Sequence, residues 1–171
     1  MSSVKKLTFA GLLVAIDVLF TRFLAFYLPG DIVRVSLQFL AHGLCGWILG
    51  PLWSLGSAVA GDLLGMAVNS AGRAYLPGYT LSAALSGLLY GLILYKRKPG
   101  IIPAAAAVGC VTLFVSLGLN SLWSMVYFEK AWFGVVTLQA SARVILFPVY
   151  SGILFAVQRG LAKPLGAIRH D

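Results

Sequence analysis

LTFAGLLVAIDVLFTRFLAFYL, residues 7–28, reads as one membrane-crossing helix that carries two charges inside it, Asp17 and Arg22. The run matches the roughly 20 apolar residues needed to cross a hydrocarbon core. No small-residue cleavage site follows at a suitable distance, so the segment is expected to be retained and not removed as a signal peptide. Asp62 and Arg143 sit in further apolar stretches of the same kind. A charge at the centre of a membrane helix costs about 3 kcal/mol on insertion scales, roughly 12 kcal/mol for these four, and persists where a partner or a ligand offsets it.

The rest of the chain extends that pattern. Of the 171 residues, 60% are apolar and 11% charged, too few for the polar surface of a soluble domain. The expected fold class is an all-α membrane protein, a single integral domain over residues 1–171. Turn and charge signals divide it into six transmembrane helices at about 7–28, 35–50, 52–69, 78–95, 101–127 and 133–158. Between them lie Pro29-Gly30-Asp31, the Gly50-Pro51 hinge, a polar stretch from Asn69 to Gly78, Lys96-Arg97-Lys98-Pro99-Gly100, and Glu129-Lys130. Basic residues divide unevenly across this topology: Lys5, Lys6, Lys96, Arg97, Lys98, Arg159, Lys163 and Arg169 on one side, Arg34, Arg73 and Lys130 on the other. The positive-inside rule then puts both termini of a multi-pass membrane protein in the cytoplasm. The net charge of +8 reflects this asymmetry and anionic lipid, not nucleic acid. Cys45 and Cys110 both fall in apolar helices, where neither a disulfide nor a reactive role is supported.

At 1.5 Å of rise per residue, Arg22, His42, Asp62, Asn120 and Arg143 fall in one layer roughly 10–15 Å below the outer surface, with Asp17 slightly deeper. Buried ion pairs that hold the bundle together, Asp62 with Arg143 or Asp17 with Arg22, would explain some of these charges. Five polar positions from five segments at one depth favour a ligand pocket open to the exterior. For His42 taken singly, a hydrogen bond to backbone or serine is the commoner role. Trp123 follows Asn120 by three residues and shares its helix face, which pairs an amide with a stacking plate. With Arg22 and Arg143 as carboxylate clamps, the layer suits a flat heterocycle bearing an acidic tail.

Small residues recur at spacing four in Gly11/Ala15, Gly46/Gly50, Gly61/Gly65, Gly87/Gly91 and Ala105/Gly109, a pattern of close helix packing. Ala10, Gly11 and Ala15 on the first helix, near Lys5 and Lys6, are the candidate docking positions for a partner membrane subunit. No metal-spaced His or Cys cluster, phosphate loop or nucleophile elbow is present, so no metal site and no cofactor are expected. The remaining catalytic candidate is an intramembrane aspartic protease using Asp17 and Asp62, which nearby basic residues disfavour by stabilising the ionised carboxylates. The chain contains no ATP-binding segment, so active transport requires separate motor subunits.

Gly61-Asp62-Leu63-Leu64-Gly65, Leu119-Asn120-Ser121-Leu122-Trp123 and Arg143 in the last helix, with the size and six spans, resemble the S components of energy-coupling factor (ECF) transporters, most closely the folate-specific family. The resemblance implies a high-affinity vitamin binder, not an enzyme, with an outward-facing pocket. It also implies docking onto a shared transmembrane scaffold subunit driven by two cytoplasmic ATPases, with toppling in the bilayer to deliver the cargo. Gly11 and Ala15 look like the family's docking motif, with glycine in place of its first alanine. Asn120, Trp123 and Arg143 look like its pocket positions. Other vitamins of the class, such as pantothenate, thiamine or a queuosine precursor, remain open at this point.

Overall fold

The computed structural model describes residues 3–27, 34–68, 75–128 and 131–169. The chain is an all-α, multi-helix membrane protein with one small addition. Helix α1 covers Ser3–Arg22 and ends on paired bonds from Phe23 N and Leu24 N to the Leu19 carbonyl. Strands β1 (Phe26–Tyr27) and β2 (Arg34–Val35) then pair antiparallel, Phe26 opposite Val35. The first apolar run therefore stops being helical before residue 28, because its last residues give their backbone bonds to a ladder. Helices α2 (Gln38–Leu49), α3 (Pro51–Val68) and α4 (Pro77–Leu94) follow. Gly50 joins α2 to α3 at φ 100°, a conformation that side-chain-bearing residues rarely adopt, and Pro51 opens α3 where its missing N–H costs nothing.

The next apolar run is continuous but not uniform. Helix α5 (Ile101–Cys110) passes into a π-helical stretch, Val111–Leu119, and then into α6, Asn120–Phe128. The Asn120 N–H donates to the Val115 carbonyl, five residues back. Such winding departs from the α-helical phase and often accompanies functional sites. The last helix, α7, spans Trp132–Arg169, 38 residues. At 1.5 Å per residue it is about 57 Å long, so it projects well beyond a hydrocarbon core of about 30 Å and past the expected end at 158. Segments Pro51–Val68, Pro77–Leu94, Ile101–Tyr127 and Phe133–Lys163 are long and apolar enough to cross a membrane. Helix α2 is apolar but has 12 residues, and α1 carries Lys5, Lys6, Asp17 and Arg22.

Packing is that of a lipid-embedded bundle. Large apolar side chains such as Ile102, Val144 and Ile145 face outward, whereas Asp17, His42, Gln139 and Gln158 are buried. The main core joins α2, α4, α5 and α7 through Trp47, Tyr90, Leu94, Val108, Tyr150 and Leu154, with Phe39 stacked on Tyr150 at 4.2 Å. In lipid, close backbone approach replaces the hydrophobic effect as the source of helix association. A β-carbon on Gly46 would lie 2.6 Å from Gly91 N, and one on Gly87 would lie 2.5 Å from the Ser54 carbonyl oxygen. Gly46, Gly87 and Gly91 thus let α2, α3 and α4 meet backbone to backbone.

Gly46→Val is expected to cost about 1–3 kcal/mol through overpacking, read as a lower apparent melting temperature in detergent. Gly56→Ala, at a glycine with open space around it, should leave that temperature unchanged.

Candidate functional site

Helix α1 has two distinct faces. Ala10, Leu13, Asp17 and Thr21, spaced by three and four, are buried and form the inner face. Asp17 rests against Gly61 of α3, a position where a side chain would collide with its carboxylate. Its Oδ2 lies 3.4 Å from His42 Nε2 of α2. His42 Nδ1 is 2.8 Å from Ser86 Oγ of α4, and Ser86 donates its own proton to the Ala83 carbonyl at 2.8 Å. Ser86 therefore accepts from His42 Nδ1–H, and His42 Nε2 faces the Asp17 carboxylate. This chain ties α1, α2 and α4 together.

A second chain runs parallel to it. Arg22 Nη2 donates to Asp62 Oδ1 at 3.2 Å and to the Asp62 carbonyl at 3.3 Å. Thr80 Oγ1 donates to Asp62 Oδ2 at 2.7 Å, with the Tyr75 hydroxyl 3.1 Å from the same Thr80 oxygen. Gly65 leaves the room that the Arg22 side chain occupies. The pairing thus differs from both combinations suggested by the sequence: Arg22 takes Asp62, and Asp17 takes His42. Asp17 and Asp62 are held by different partners, so no carboxylate dyad is assembled.

The remaining candidates sit on α6 and α7. Trp123 Nε1 donates to Ser82 Oγ of α4 at 3.1 Å, and its ring stacks on Tyr127 at 5.8 Å between centroids. Asn120 Oδ1 and Arg143 Nε are buried and lack hydrogen-bond partners. No carboxylate pairs with Arg143 among the described residues. Tyr90 and Tyr150 are the polar side chains within its electrostatic reach. An unpaired buried acceptor and an unpaired buried cation are costly in a protein interior and are retained where something else completes them.

Helix α4 contacts all three groups along one stretch. Thr80 meets Asp62, Ser82 meets Trp123 and Ser86 meets His42. Thr80 and Ser86 are six residue steps apart, about 9 Å of helical rise. The hydroxyls of Thr80, Ser82 and Ser86 were not among the expected site residues. Serine and threonine commonly bond their own helix backbone, as Thr137 and Ser151 do here, so composition gives no sign of which ones reach across.

The outer face of α1 is different again. Gly11, Val14, Ala15, Val18, Leu19 and Phe23 of α1 and its extension line an open apolar groove with Leu64 and Val68 of α3. A methyl on Gly11 would meet nothing within 4 Å. Ala10 does not share this face: it is 6% exposed and packs with Leu13, Cys45 and Leu49, because one residue along a helix turns a side chain by about 100°.

The family description "ECF transporter, substrate-specific component" matches residues 5–158. The chain belongs to this family. This substrate-specific component is similar to the folate transporter FolT of Clostridium novyi (strain NT), with 29% identity covering 91% of the chain and 88% of the relative. It is also similar to the folate transporter FolT of Leuconostoc mesenteroides subsp. mesenteroides, with 30% identity covering 73% of the chain and 70% of the relative. Its fold matches a crystal structure of FolT bound with folic acid at a TM-score of 0.82 and 28% identity, over 91% of this chain and 93% of that one. The substrate-specific component is therefore a transport substrate-binding subunit with the S-component fold.

Asp62→Ala in this component leaves the Arg22 guanidinium buried and unpaired, which costs about 3–5 kcal/mol. Thermal unfolding in detergent should report that loss, and the double replacement Arg22→Met with Asp62→Leu should recover most of it. Equal losses in the single and double variants would assign the pair a role other than mutual neutralisation.

Proposed function

We propose that this chain captures folate from the exterior of a prokaryotic plasma membrane and delivers it by docking to a transmembrane ECF scaffold subunit powered by two cytoplasmic ATPases. In this reading residues 1–171 form one integral domain of six spans, with α1 and the short α2 as the first two and both termini cytoplasmic. The exposed basic turn Lys96-Arg97-Lys98 and the exposed Arg159 and Lys163 support that orientation under the positive-inside rule. Similarity to two folate transporters, and to a structure holding folic acid, supports folate as the vitamin.

One observation carries the assignment of the site: among the described residues no carboxylate pairs with Arg143, and its buried Nε and the buried Asn120 carbonyl oxygen lack partners. A pterin offers acceptors along one edge and an amino donor, and the folate tail adds carboxylates, so one ligand can satisfy both groups. Trp123 supplies an aromatic wall one turn from Asn120. Arg22, Asp62 and His42, expected as ligand groups, contribute by fixing α1, α2 and α3 around the site. Gly11 and Ala15 on the groove face are the docking positions, and the inward-facing Ala10 supports them from behind.

Isothermal calorimetry on the purified chain tests the reading. Folic acid should bind at submicromolar concentration without ATP. Arg143→Gln should weaken binding about 10- to 100-fold, the loss of a charge-assisted bond, and Trp123→Ala at least tenfold. Gly11→Leu should leave binding intact while abolishing uptake in cells that hold the complete transporter. Full uptake by Gly11→Leu, or wild-type affinity in Arg143→Gln, contradicts the corresponding assignment.

A further inference from the structure

The indole of Trp123 is held by α4 from two directions. Its Nε1–H donates to Ser82 Oγ at 3.1 Å, and Ser82 is 4% exposed, so water does not compete effectively for that bond. An indole nitrogen is a donor and never an acceptor, which gives the bond one polarity. One turn before Ser82, on the same stripe of α4, Gly78 lies directly under the ring. A β-carbon there would come within 2.5 Å of Cδ2, 2.7 Å of Cε2 and 2.9 Å of Cε3, separations that real side chains do not adopt. The fused bond of the indole therefore rests on bare backbone while its pyrrole edge is pinned four residues further along. Tyr127, stacked at an interplanar angle of 27°, adds a third support, and Tyr79 lies 6.4 Å from Tyr127.

We infer that Gly78 and Ser82 are positioning residues that fix the plane and edge of Trp123, so that the aromatic wall of the site is set before substrate arrives. The inference rests on the folate reading for its effect on binding, and on α4 geometry alone for its effect on the ring. Neither residue needs to touch the ligand. A wall already held in its binding orientation loses less freedom when the ligand arrives, which raises affinity without adding a contact. Gly78 limits this position to a residue without a β-carbon, since the neighbour that would have to yield is a rigid ring and not the end of a flexible chain.

The test uses the full-length protein in detergent with two readouts. In the first, the four tryptophans are labelled as 5-fluorotryptophan, and the Trp123 resonance is assigned by its disappearance in Trp123→Phe. Ser82→Ala and Gly78→Ala should each shift or broaden that resonance, and Ser82→Thr, which keeps the hydroxyl, should restore it. An unmoved Trp123 signal in both alanine variants overturns the inference. In the second, folic acid affinity is measured for Ser82→Ala, Trp123→Phe and the double variant. Ser82→Ala should weaken binding about three- to tenfold, and the double variant should bind no more weakly than Trp123→Phe, because Ser82 then has no indole N–H to hold. Losses that multiply in the double variant would show that Ser82 acts independently of Trp123. Failure of the wild-type protein to bind folic acid would overturn the folate reading, while the fluorine spectra still decide the positioning of Trp123.

Discussion

The cost of a buried charge in a medium without water organises this molecule. Helix α1 carries two such charges on different sides of its axis, and each recruits a different neighbour: Asp17 takes His42 of α2, and Arg22 takes Asp62 of α3. Glycines at 61 and 65 make room for the two α1 side chains, so charge pairing and close packing are the same event at this crossing. Both chains end on hydroxyls of α4, Ser86 and Thr80. The first four helices are thereby locked in mutual register by electrostatics as well as by contact. Opposite charges that neutralise each other hold the scaffold, and Arg143 has no carboxylate partner among the described residues.

That division separates charge-paired from unpaired residues among groups that look alike in the chain. Arg22 and Arg143 are both arginines in apolar helices, and their depth alone does not distinguish them. Arg22 bonds the Asp62 carboxylate and carbonyl through Nη2, whereas no carboxylate pairs with Arg143 among the described residues; each keeps a buried Nε without a partner. Asn120 shares that condition at the point where π-helical winding returns to α-helix. The altered winding sets the phase of α6, and so the direction in which Asn120 and Trp123 face relative to α4. In the proposed reading, folate is what completes these unsatisfied groups.

Much of the fold was legible because apolar runs and their breaks are written directly in the residues: Gly50-Pro51 and the Lys96-Arg97-Lys98 turn fall where the structure changes direction. The two-residue strands after α1 were not, since Phe26-Tyr27 continues an apolar run and carries no alternation. The π-helical stretch was equally hidden, because Val111–Leu119 has the composition of an ordinary membrane helix. Some of the site was readable and went unread. Asp17 and Arg22 are five residues apart and so about 140° apart around the helix, which argues against their pairing. The same periodicity separates Ala10 from Gly11 and Ala15. The α4 hydroxyls are a different matter, because which serine reaches a neighbouring helix depends on a tertiary crossing that no local pattern encodes.

A structure of the chain with folic acid bound is the most direct measurement of this division of labour. The account predicts Arg143 and Asn120 within about 3 Å of acceptor and donor atoms of the ligand, with the Arg22–Asp62 and Asp17–His42 pairs intact. A ligand that contacts Arg22 with Asp62 released, while Arg143 and Asn120 stay without partners, would contradict it.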